Sequence, residues 1–175
     1  MTPPKILIAG IGNIFLGDDG FGCAVAERLA RRPLPDGAQV VDFGIRGFDL
    51  AYALMDGYDV TILIDAAPRG GDPGALYVIE PDLNGLNEPD ARAMTVESHA
   101  MNPMQVFALV KAMNGELKRV LLVGCEPATL GPDEGQMGLS ETVEAAVDGA
   151  VEIIESLVAE ILGDQRPAGV GANHF

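Results

Sequence analysis

Two stretches of this chain have almost no polar face. Residues 60–64 read Val-Thr-Ile-Leu-Ile, and residues 118–125 read Lys-Arg-Val-Leu-Leu-Val-Gly-Cys. A nearly continuous apolar run of this length belongs to a strand covered on both sides rather than to a sheet with one wet face. Three further segments, 5–9, 39–43 and 75–80, have the make-up of shorter strands. Helical spacing lies between them. Phe21, Val25 and Leu29 recur on one face, followed by Arg28, Arg31 and Arg32 near the helix end, where cations suit the dipole. Leu50, Ala53 and Leu54 mark a second helix. Asn102, Pro103 and Gln105 form a helix start, and Asn114-Gly115 a stop. Ser140 caps a last helix with a stripe of Val143, Val147, Ala150, Ile154, Leu157 and Ile161. Strands that alternate with helices predict an α/β fold. We expect a single-domain three-layer α/β/α sandwich around a mostly parallel, twisted five-stranded sheet.

The 175 residues suit one such domain, 1–163, with a flexible tail at 164–175 that carries no pattern. The net charge of −15 argues against nucleic acid or an anionic membrane as partner. No apolar run approaches transmembrane length, and Asp18 and Asp19 do not fit a signal peptide. Cys23 and Cys125 provide no disulfide framework and read as buried small hydrophobes. A cytoplasmic, reduced protein is expected, and its acidic one-domain profile is compatible with a monomer.

The first strand runs into residues 10–22, Gly-Ile-Gly-Asn-Ile-Phe-Leu-Gly-Asp-Asp-Gly-Phe-Gly. A glycine turn between strand and helix is where open α/β sheets build sites. Dinucleotide binding would want a third glycine where Phe15 stands, and a pyrophosphate would meet two acids. No P-loop and no Gly-x-Ser-x-Gly elbow occurs. Capping needs only one acid, so we expect Asp18 to brace the loop and Asp19 to face the site. Asp65 ends the apolar third strand, where a carboxylate costs desolvation unless something pairs with it. His99 stands in a loop just ahead of the Asn102 helix start. The loops after strands one and three lie side by side where strand order reverses. Asp19, Asp65 and His99 are therefore expected to share the carboxyl edge of the sheet. Two carboxylates and an imidazole form an open site for a divalent transition ion. Cys23 sits at helical spacing among apolar residues, which favours core over nucleophile. The polar stretch 81–97 is long for a compact domain and reads as functional or mobile.

These residues resemble the [NiFe]-hydrogenase maturation endopeptidases. Residues 10–22 are similar to the family's first motif, 42–47 to its second glycine loop, and Leu63-Ile64-Asp65-Ala66 to its acidic strand end. Ser98-His99 is similar to its histidine loop. Gly124-Cys125-Glu126-Pro127 with Gly138-Leu139-Ser140 resembles its closing motif. The match runs in order from about residue 5 to 160. The resemblance implies a peptidase that clips the C-terminal extension from a hydrogenase large-subunit precursor after nickel insertion. It also implies that Asp19, Asp65 and His99 recognise nickel carried by that precursor, with no resting metal required. Some members carry Glu where this chain has Asp19. Two other classes fit the residues: a non-catalytic nickel or assembly chaperone for the precursor, and a nucleotide-binding α/β enzyme. Cleavage separates the first from a protease, and a nucleotide-dependent melting shift would mark the second.

Overall fold

The computed structural model describes residues 2–84, 101–131 and 135–163. Five strands form one sheet: β1 Ile6–Ile11, β2 Ala38–Gly44, β3 Val60–Ala66, β4 Leu76–Ile79 and β5 Arg119–Cys125. Their order is β2-β1-β3-β5-β4. All neighbours pair in parallel except β4, which runs antiparallel to β5. Among the described residues four α-helices flank the sheet: α1 Phe21–Ala30, α2 Gly47–Leu54, α3 Pro103–Ala112 and α4 Glu141–Gly163. The expected tail, 164–175, lies outside the described residues, as does 85–100.

Pleat alternation divides the interior into two cores. Ile6, Ile8, Val60, Ile62, Ile64, Leu121 and Val123 face α1 and α4. Leu7, Ala9, Ile11, Leu63 and Val120 face α2 and α3. The three-layer sandwich is thus the physical answer to strands that are apolar on both sides. The helix ends follow their sequence signals. Asn102 Oδ1 accepts the Met104 N–H at 3.0 Å, and Asn114 closes α3 at φ 61°. Ser140 Oγ accepts the Val143 N–H at 3.4 Å.

Three details go beyond what the sequence specified. The apolar stripe of α4 takes in Val151 and Val158, and Leu157 is only half-buried, because 3.6-residue spacing drifts over 23 residues. The arginines of α1 do more than meet the dipole. Arg28 pairs with Asp148 and Glu144, and Arg32 with Glu155 at 2.9 Å, joining α1 to α4. The direction of β4 is the third. Residues 67–75 are too few for a crossover helix, so the chain can only turn back beside β5. The segment after β4 consequently leaves from the amino edge of the sheet. Helix α3 ends at that same edge, its C-terminal end near the end of α2, where Gly115 lies against Met55. That direction sets Asn102 and the start of α3 at the carboxyl edge.

Candidate active site

The chain leaves β1 for β2 on one side and returns to β3 on the other. The carboxyl ends of β1 and β3 are therefore the point where strand order reverses, the usual seat of a site in an open α/β sheet. The loop after β1 is stiffened from within. Asn13 Oδ1 accepts the Phe15 N–H at 2.9 Å, an Asx turn, and a 3-10 turn, Gly17–Gly20, delivers both acids.

The two neighbours part company there. Asp18 is fully buried. Its Oδ2 accepts the N–H groups of Ala128 (2.8 Å) and Thr129 (3.0 Å) and the Ser140 hydroxyl (2.9 Å). Its Oδ1 accepts the Ser140 N–H at 2.7 Å. Burial pushes the carboxyl up, but these four bonds outweigh it and hold the group below its ordinary value. Asp18 is thus a brace, as its redundancy for capping suggests. Asp19 keeps a partly open side chain and accepts the Asn13 N–H at 2.7 Å. Burial raises its pKa, and that single amide opposes the rise.

Asp65 shares the pleat of Leu63, the face covered by α2 and α3. Its carboxyl is held well above the ordinary carboxylate range, first by desolvation and then by the charge of Asp19, against one N–H from Ala66. The fold therefore brings Asp19 and Asp65 within electrostatic reach of each other. Helix α1 must come close for this to happen. At Gly22 a side chain is excluded: a Cβ would lie 2.1 Å from the Ile64 carbonyl and 2.3 Å from that of Ile11. Among the described residues the ion pairs form elsewhere, and none joins a lysine or arginine to either acid. A cation or a shared proton would relieve two desolvated carboxylates set this close in charge.

His99 lies outside the described residues, and no group of three metal-binding side chains occurs among those described. In sequence His99 stands three positions before the Asn102 cap. Cys23 is 4% exposed, donates to the Gly12 carbonyl at 3.5 Å and is pushed up to about 12. Burial leads that shift, and Asp42, Asp19 and Asp65 add to it. It is a thiol at neutral pH and no nucleophile. Cys125 is fully buried and raised to about 11.

Beside the acids a cavity of about 530 Å³ opens between the loops after β1 and β2. Asn13, Phe15, Asp42, Ile45 and Arg46 line it, and Phe15 is 58% exposed. Arg46 braces the second loop through the carbonyls of Asp42 and Phe43. Asn13 escapes sequence reasoning because its backbone amide, not its side chain, meets Asp19. The Asx pattern Asn13-Ile14-Phe15 was the available signal.

A family model described as HycI, hydrogenase maturation protease, matches residues 23–157. The chain belongs to the hydrogenase maturation protease family. A Methanocaldococcus jannaschii chain bearing the maturation protease name is 35% identical over 158 residues, covering 88% of this chain and 96% of its own. The hydrogenase maturating endopeptidase HybD of Escherichia coli superposes with a TM-score of 0.68 at 28% identity, over 89% of this chain and 93% of that one. A hydrogenase 2 maturation peptidase from a Thaumarchaeota archaeon gives 0.65 at 33% identity, over 88% and 97%. The single-domain α/β architecture and the peptidase class are those of the maturation proteases. Among the described residues no helix is long and apolar enough to cross a membrane.

Proposed function

We propose that this maturation protease removes the C-terminal extension of a [NiFe]-hydrogenase large-subunit precursor once nickel has been inserted. The observation that carries the proposal is the Asp19–Asp65 pair: two carboxylates with raised pKa values, at the reversal point of the sheet, with no ion pair to either among the described residues. Nickel held by the precursor is the cation that would relieve their repulsion, with His99 as a third ligand from the segment that leads to α3. Docking of the metal would bring the scissile peptide over the two acids. A water activated by the metal or by a free carboxylate oxygen attacks the peptide carbonyl. The raised pKa suits that carboxylate to take the water proton and pass it to the leaving nitrogen. The thiol state of Cys23 leaves hydrolysis by water as the route.

The partner in this reading is the precursor, and the protease acts as a cytoplasmic monomer, consistent with two buried free cysteines. The test is incubation with nickel-loaded and nickel-free precursor, followed by mass measurement of the precursor C-terminus. Cleavage of the loaded form alone is expected. Equal cleavage of both removes nickel recognition, and tight binding without cleavage replaces the protease by an assembly factor.

A further inference from the structure

Asp18 is not the only buried carboxylate held by backbone amides. Glu126, just past β5, is 7% exposed. Its Oε2 accepts the Arg69 N–H at 2.7 Å and its Oε1 the Gly70 N–H at 3.3 Å. Its backbone holds the same loop from the other end: the Gly74 N–H donates to the Glu126 carbonyl at 2.8 Å, and the Glu126 N–H to that of Ala75 at 2.9 Å. Nearer Asp65, the Ala67 N–H donates to the Cys125 carbonyl at 3.0 Å, and the Tyr77 hydroxyl to the Ala67 carbonyl. The loop also abuts the start of α4. At Gly74, φ is +86°, and a Cβ would lie 2.7 Å from Thr142 Cγ2 and 2.9 Å from the Thr142 carbonyl. Residues 67–74 are thus held at Ala67, Arg69, Gly70 and Gly74, and they begin two positions after Asp65. The chain just past β5 that carries Glu126 also holds Asp18 beside Asp19, through the N–H groups of Ala128 and Thr129.

We infer that Glu126 is a positioning residue for the cleavage reaction, setting Asp65 against Asp19 by pinning the loop that follows Asp65. Asp18 does for one site carboxylate what Glu126 does for the other, and the chain just past β5 is the common frame. The inference rests on the proteolytic reading above. A carboxylate suits the geometry, since it sets one acceptor oxygen before each of the two N–H donors.

The test is Glu126→Gln, which keeps side-chain volume and one acceptor but turns an NH2 donor toward the second amide. A packing role predicts wild-type behaviour. A positioning role predicts that kcat on nickel-loaded precursor falls about tenfold or more while KM stays within about twofold, because misplacement costs the reacting geometry rather than docking. Amide exchange at Arg69 and Gly70 is expected to accelerate. The Asp65 carboxyl carbon resonance should move at fixed neutral pH. Gly74→Ala, which displaces the same loop without touching the carboxylate, should reproduce the kcat loss. Assays run well below the melting temperature of each variant. Wild-type kcat in Glu126→Gln, or faster exchange with an unmoved Asp65 resonance, overturns the proposal. A wild-type protein that leaves loaded precursor uncut overturns the protease reading instead, and the exchange and resonance measurements still decide whether Glu126 sets Asp65.

Discussion

Asp18 and Asp19 are adjacent and chemically identical, yet their carboxyls are displaced in opposite directions. The pair shows how far residue type carries an argument. The redundancy of two acids at one helix start marks one as spare, and the sequence supports no more than that. Which acid turns inward depends on the partners it meets, and those of Asp18 lie 110 to 122 positions away. Asp18→Asn should lower stability by about 2–4 kcal/mol at neutral pH, the loss of charge-assisted bonds to buried donors. The sign with pH follows from the lowered value. The contribution of Asp18 is present above the unfolded-state value of about 4 and is lost as pH falls through the folded value. Urea unfolding at several acid pH values should therefore show a shallower decline in the variant. Asp65 gives the reverse. Its raised pKa means the folded protein is penalised as pH rises above about 4 and through the folded value. Asp65→Asn should raise the melting temperature at pH 7 by about 2–4 °C, with the gain vanishing at pH 4 and below, and should abolish processing.

At the scale of elements, most of the fold was legible because each strand and helix carries its own period. The continuous apolar character of β3 and β5 places them at the centre of the sheet, and the signals at Asn102, Asn114 and Ser140 set helix ends. The direction of β4 was decided by a connection length, residues 67–75, rather than by any residue, and composition was silent on it. The arginines of α1 likewise spend their charge on α4, a partner that local spacing cannot reveal. Close packing between elements is the other hidden quantity. Gly22 reads in sequence as one more turn glycine, but it is where α1 rests on the ends of β1 and β3. Gly22→Ala should cost about 1–3 kcal/mol by overpacking and push Asp19 away from Asp65. Chemical denaturation and processing assays should show both effects, with activity falling even where the variant is fully folded.

For the whole molecule, the candidate site is a junction rather than a motif. Asp19 comes from the loop after β1, Asp65 from the end of β3, and the frame that fixes both comes from the chain after β5 and the cap of α4. The sequence named the two acids because their chemistry is visible in residue types. It left Glu126 without a role inside the closing motif, because an amide-binding carboxylate and a surface acid look alike until the amides arrive. The buried Asp18 has a consequence for the order of events during synthesis. Asp18 is made 110 to 122 residues before the donors that lock its loop, Ala128, Thr129 and Ser140. A ribosome adding about 5–20 residues per second would hold the acidic loop unanchored for several seconds. A chain ending at residue 127 should therefore lack processing activity, and one extended to residue 163 should have it. The protease would be silent on the ribosome and switched on only by the completion of its own C-terminal helix.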